Sequence, residues 1–148
     1  DVYGDSKSQT GIAVFIAGAK CAIYAASNKQ HCVTRSSCDA EVVAAETGTI
    51  LGAYYKDVLD ELGYRMNVVH HEDNQSCIAL VHAGSVAYDR KDCHTIRRVN
   101  FMHDYFKYEE NRSEMVWCNT KEMIADVLTK DLHGELFIDF KSKLMGWT

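Results

Sequence analysis

The stretch RMNVVHHEDNQSCIALVHAG, residues 65–84, decides the fold. Met66 to Val69 forms a short apolar run with the length and composition of a buried strand. It leads into HHEDNQS at residues 70–76, whose acid and amide residues suit a turn. Asp73 therefore stands at the C-terminal end of a strand. Either Asp73 or Asn74 can cap the short helix that follows, which runs through Val81 and stops near Gly84. A strand, a tight loop and a helix in that order make a crossover, and a crossover implies a parallel neighbouring strand.

Upstream, Ser36 or Ser37 can cap a helix whose first turn carries Asp39 and Glu41, both favourable against the helix dipole. That helix runs to about Leu62, where Gly63 ends it. Gly48 and Gly52 lie one turn apart inside it. Each weakens a helix by about 1 kcal/mol relative to alanine, so close packing on a sheet is the expected compensation. Further upstream, Ile12 to Ile16 and Cys21 to Ala26 read as a hairpin turning around Gly18. Downstream, Ile96, Val99, Met102, Tyr105 and Phe106 recur at helical spacing, and Met115 to Cys118 reads as another strand. Thr120 can cap a helix carrying Asp126, and a last helix gathers Leu136, Phe137, Phe140 and Leu144 on one side. The expected order is β-β-α-β-α-α-β-α-α, an α/β chain with a mixed sheet flanked by helices.

The 148 residues, 47% of them apolar, suit one domain with an adequate core. No apolar run is long enough for a membrane span and no secretory pattern opens the sequence, so an intracellular location is expected. Six cysteines without a C-x-x-C pair argue against a zinc site and a disulfide framework. A net charge of −5 is the wrong sign for a polyanion partner, yet a site that gathers carboxylates around cations starts with a negative bias. The basic residues are unevenly placed. Lys29 and Arg35 precede Glu41, and Arg90, Lys91, Arg97 and Arg98 form the densest basic run, readable either as solvated surface or as a track for a nucleic-acid backbone. Proline is absent from the whole chain, and no physical account of that presents itself. Glu41, Asp73 and Asp126 each stand near an element boundary, where a surface acid or helix cap is the ordinary alternative to a ligand.

Four motifs occur in a telling order: SKSQTG at 6–11, SNKQ at 27–30 leading into TRSSCDAE at 34–41, EDNQS at 72–76, and TKEMIADVLTK at 120–130. With them the chain resembles the ribonuclease H domain of a copia-type retrotransposon Pol polyprotein over essentially its whole length. The resemblance implies a mixed five-stranded sheet flanked by helices and cleavage of the RNA strand of an RNA–DNA hybrid. It further implies two Mg²⁺ or Mn²⁺ ions, an adjacent reverse transcriptase domain, and residence in a cytoplasmic particle or the nucleus. Two divalent ions about 3.5–4 Å apart can activate a water and stabilise a departing 3′ oxygen, and carboxylates are their natural hard ligands.

By resemblance, Glu41 and Asp73 are metal ligands and Asp126 holds the second metal. The match also favours Glu41 over Asp39, since the family's acid directly precedes the apolar stripe. Lys29, Arg35, Arg90, Lys91 and Arg98 become the candidate substrate contacts. The family's fourth carboxylate belongs to a first strand upstream of the SKSQTG-like segment. Asp1 and Asp5 are the candidates here, and because no apolar run precedes Asp1, the expectation is that this strand and its aspartate lie outside the sequence. Asn119 and Asp131 stand where the family commonly has proline. Of the histidines, His70 and His71 are adjacent in a strand, so they point to opposite faces and are expected at surface or strand-end positions. His94 suits either substrate contact or helix capping. The rival to an enzyme is an inactive unit that keeps the fold as a structural or nucleic-acid-binding module.

Overall fold

The computed structural model describes residues 7–31, 33–34, 36–84, 93–108 and 112–147. The expected contacts Arg35, Arg90 and Lys91, and the acids Asp1 and Asp5, lie outside the described residues. The chain is mixed α/β and divides into two compact units, Asp1–Thr34 with Asn119–Thr148, and Arg35–Cys118.

In the first unit, strands β1 (Gln9–Val14) and β2 (Tyr24–Lys29) pair antiparallel from Gln9 opposite Lys29 to Val14 opposite Tyr24. The strands are slightly displaced from the apolar runs that announce them, but Gly18 does turn the connection, with φ of 85°. Thr10 and Ile12 alternate into the interior, as a half-buried strand requires. Gln30 Nε2 donates to Thr10 Oγ1 at 3.0 Å, so the buried hydroxyl is satisfied.

The TKEMIADVLTK segment does not form the expected α-helix. Two 3₁₀ turns, Thr120–Glu122 and Ile124–Leu128, take its place. The cap is Asn119, not Thr120, its side chain accepting from the Lys121 N–H at 3.0 Å. The extended ψ of 87° at Met123 then interrupts any longer helix. The second turn lies on β1 at Gly11, where an added Cβ would stand 2.7 Å from Thr129 Cγ2 and 2.9 Å from the Ala125 carbonyl oxygen. Only glycine leaves room for that approach.

Helix α4 (Gly134–Met145) buries Phe140 completely and ends at Gly146 in the left-handed conformation. The Leu144 carbonyl accepts from the Ala22 N–H at 3.0 Å, tying the helix end to the hairpin turn.

The second unit is built on α1 (Ser37–Glu61), 25 residues long. Ser36 is its cap: Oγ accepts from the Asp39 N–H at 3.1 Å and donates to Asp39 Oδ2 at 2.9 Å, a reciprocal arrangement that explains why Asp39 is buried. Gly63, with φ of 90°, follows the helix end. Strand β3 (Val69–Glu72) leads through Asp73 and Asn74 into α2 (Gln75–Ala83), then come α3 (Cys93–Lys107) and β4 (Glu114–Trp117). The two strands run parallel, from Val69 beside Glu114 to Glu72 beside Trp117. Val42, Ala45, Cys77, Val81, Val99, Met102 and Met115 form the core of this unit.

The third strand begins at Val69, three residues later than the apolar run suggests. Side chains help hold the residues ahead of it: Asn67 Nδ2 donates to the Arg112 carbonyl at 3.2 Å and the Val68 N–H donates to Ser113 Oγ at 3.0 Å, while the Val68 carbonyl accepts from the Glu114 N–H at 2.8 Å. Exposed Val69 and His71 then alternate with inward-facing His70 and Glu72. The mixed sheet expected from the sequence is resolved as two separate two-stranded sheets among the described residues.

No described helix is long and apolar enough to cross a membrane.

Candidate functional site

The glycine seam of α1 determines what meets what. A Cβ at Gly52 would lie 2.9 Å from Val68 Cγ1, and one at Gly48 would lie 3.0 Å from His70 Cε1. Four residues forward on the helix thus correspond to two residues backward on the strand. The rises match, about 6 Å along a helix and about 6.6 Å along a strand, so α1 runs antiparallel to β3 with its glycines against the strand's side chains. Extending that correspondence by one step brings Ala44 of the helix to Glu72, and Glu41 lies about one turn before Ala44. The sequence-expected packing of Gly48 and Gly52 on a sheet thus sets the register in which the N-terminal part of α1 passes the end of β3.

Electrostatics agree with this geometry. The Glu72 carboxyl is 6% exposed. Its pKa rises from 4.5 to about 7, chiefly because burial penalises the charge, with the Glu41 and Asp73 carboxylates adding to the rise against the opposing bond from the Asn74 N–H. The Cys38 thiol, beneath Glu41 on the helix, is raised by burial first and then by Asp39, Glu41 and Glu72. Cys77 is raised by burial first and then by Glu72, Cys38 and Glu41. Glu41, Glu72 and Asp73 therefore share one field.

Beside them lies a polar line that the sequence does not announce. Thr49 Oγ1 donates to the Ala45 carbonyl at 2.9 Å and stands 3.3 Å from His70 Nδ1. The hydroxyl proton being committed, the imidazole must donate from Nδ1, which leaves Nε2 as an acceptor facing Glu72 Oε2 at 4.0 Å. Burial drives the His70 pKa from 6.5 to about 4, with His71 adding to the fall. At neutral pH His70 is uncharged, so the His70–Glu72 approach is not an ion pair. His70 is accordingly a half-buried residue of β3 in the α1–β3 contact and not a surface one. His71 points the opposite way and is exposed.

The remaining expected residues are scattered. Glu41 is half-buried just past the first helical turn, where Asp39 is the acid of that turn. Asp126 belongs to the first unit, buried in the second 3₁₀ turn, and pairs with Lys130 Nζ at 2.7 Å. Lys29 closes β2 opposite Gln9 and is half-buried. Arg98, on α3, forms an ion pair with Glu46 of α1, joining two helices of its own unit. His94 is exposed in the first turn of α3. Among the described residues, no group of three or more histidine, cysteine, aspartate or glutamate side chains is arranged to hold a metal ion.

Sequence reasoning missed Glu72. The signal was present: reading VHHE with a period of two, instead of ranking residues by apolarity, puts His70 and Glu72 on one face. Comparisons with protein-family models, with curated proteins and with solved structures found no match.

Proposed function

We propose that this chain is the ribonuclease H domain of a copia-type retrotransposon Pol polyprotein, acting beside a reverse transcriptase domain as a metal-dependent endonuclease on the RNA strand of RNA–DNA hybrids. The fold this reading assumes is the ribonuclease H-like mixed sheet flanked by helices. The observation that supports it is that the Glu41 and Asp73 carboxylates both act on the buried Glu72 carboxyl, which puts acids of α1 and of the β3 end in one field. The ordered motifs at 6–11, 27–41, 72–76 and 120–130 supply the family expectation.

In this reading Glu41 and Asp73 hold one Mg²⁺ or Mn²⁺ ion and Asp126 the second. Bound divalent ions supply activation of the attacking water and charge neutralisation at the departing 3′ oxygen. The chain's own carboxylates fix where that chemistry happens. Lys29, Arg35, Arg90, Lys91 and Arg98 are the proposed contacts to the hybrid's phosphates, positioning it without reading its sequence.

One observation favours a second reading. The Lys130 ammonium stands on the Asp126 carboxylate at 2.7 Å, the place a cation would take, as in an inactive unit that keeps the fold for structural or nucleic-acid-binding purposes.

Incubation with a labelled RNA–DNA hybrid and Mg²⁺ or Mn²⁺ separates the two. Cleavage confined to the RNA strand and abolished by Asp73→Asn is the expected outcome. Absence of cleavage by the folded chain rejects the nuclease and selects the inactive unit, hybrid binding then separating its nucleic-acid-binding form from a purely structural one.

A further inference from the structure

We propose that Glu72 is a positioning residue for Asp73: its buried carboxyl, accepting from the backbone of the loop, holds the Asp73 carboxylate in place. This role rests on the nuclease reading above.

The geometry is that of a short loop clamped on both sides. Ahead of it, the Glu72 carbonyl accepts from the Cys118 N–H at 2.9 Å, so the strand's last residue is fixed by the parallel ladder. Behind it, Asn74 Oδ1 accepts from the Cys77 N–H at 3.1 Å and the Asn74 carbonyl from the Ile78 N–H at 3.1 Å, so α2 begins immediately. Asp73 lies between these anchors. The Glu72 side chain folds back across the gap, its Oε1 accepting from the Asn74 N–H at 3.0 Å, and the Asp73 N–H also bonds Glu72. A side chain that binds the backbone two residues ahead forms a closed turn, which restricts the direction in which the intervening residue can point.

The alternatives for such a position are unequal. An apolar side chain would fit the buried face of β3 without desolvating a charge, whereas Glu72 is penalised by burial and repelled by Glu41 and Asp73. What the carboxyl provides that an apolar group lacks is an acceptor for the loop's N–H groups. That acceptor takes the N–H of the half-buried Asn74, which α2 leaves free at its N-terminal end. On the far side, Thr49 and His70 fill the space between strand and helix, which keeps the Glu72 side chain turned toward the loop.

Two substitutions separate acceptor from charge. Glu72→Gln keeps an oxygen that can accept from Asn74 and removes the charge, while Glu72→Met fills similar space and removes both. Three readouts are taken on the full chain: amide exchange at Asn74, Mn²⁺ affinity by titration calorimetry, and the kcat and KM of hybrid cleavage. Glu72→Gln is expected to keep Asn74 exchange within about two-fold of the wild type and to retain several-fold more Mn²⁺ affinity and kcat than Glu72→Met. Glu72→Met is expected to speed Asn74 exchange about ten-fold and to weaken Mn²⁺ binding and kcat by a similar factor, with KM unchanged. In an Asp73→Asn background the Met substitution should cause no further loss of Mn²⁺ affinity, since its effect passes through Asp73.

The proposal is overturned if Glu72→Met leaves exchange and Mn²⁺ affinity unchanged. It is equally overturned if Glu72→Gln loses as much as Glu72→Met, which would make Glu72 a ligand in its own right. A wild type that neither binds Mn²⁺ through Asp73 nor cleaves hybrid removes the nuclease reading and this role with it. Amide exchange in that case still reports whether the loop bond exists.

Discussion

Replacing Glu72 by glutamine should change how stability depends on pH, because Glu72 and His70 are buried neighbours that titrate in opposition. Glu72 is an acid whose pKa is raised on folding, from 4.5 to about 7. Its contribution is fully present below pH 4.5 and is lost as pH rises toward 7, since the unfolded chain gives up its proton first. At about 1.36 kcal/mol per pH unit, that interval is worth about 3 kcal/mol. His70 has its pKa lowered from 6.5 to about 4, so its contribution is present above pH 6.5 and is lost as pH falls toward 4. Between about pH 4.5 and 6.5 the two slopes cancel, and the wild-type pair adds almost nothing to the pH dependence. Glu72→Gln removes the falling branch alone. The stability difference between variant and wild type should be near zero at pH 4.5 and grow to about 3 kcal/mol in the variant's favour above pH 7. Contributions from groups that do not feel the Glu72 charge drop out of that difference. Urea unfolding at half-unit pH intervals from 4 to 8 measures it directly. Curves for the two proteins that stay parallel throughout would refute the reasoning, because they would mean that Glu72 ionises as readily in the folded chain as in the unfolded one.

Gly52→Ala should lower stability by about 1–3 kcal/mol in urea unfolding, despite the better helix propensity of alanine, because its Cβ meets Val68 Cγ1 at 2.9 Å. Gly11→Ala should destabilise by a similar amount and be read most sharply in the first unit, as loss of amide protection at Thr129 and Lys130, since one of its obstacles is the Ala125 backbone oxygen at 2.9 Å. The Arg98–Glu46 pair is partly exposed, so a double-mutant cycle to alanine should return a coupling of about 0.5 kcal/mol that shrinks in 1 M salt.

Where local chemistry decides a structure, the sequence is readable. Ser36 and Gly63 bracket α1 as their side-chain and backbone preferences require, and Asn74 starts α2 by the same capping logic. The parallel partner implied by the crossover is β4. Legibility fails where a tertiary contact overrides local preference. Val69 is more hydrophobic than His70, yet His70 is the one turned inward, because Gly48 opens a space for it and Thr49 offers it a hydrogen bond. No window of β3 alone contains that information. The TKEMIADVLTK segment fails differently: its apolar spacing is helical, but Asn119 caps so tight a turn that the chain exits at Met123. Of the three expected acids, Glu41 and Asp73 both act on the carboxyl of Glu72, whose burial no local signal around HHED announces.

The seam between α1 and β3 also makes the helix a ruler with fixed marks. Gly48 and Gly52 admit His70 and Val68, and Glu41 stands seven residues before the first of them, about 10 Å along the axis. A residue inserted between Glu41 and Gly48 would advance the acid by about 1.5 Å and swing it by about 100° around the helix. Adding two whole turns would restore its direction but carry it about 10 Å away. No change of length in that interval preserves both distance and direction, so the span from Glu41 to Gly48 is closed to insertions and deletions even where its individual side chains can be exchanged.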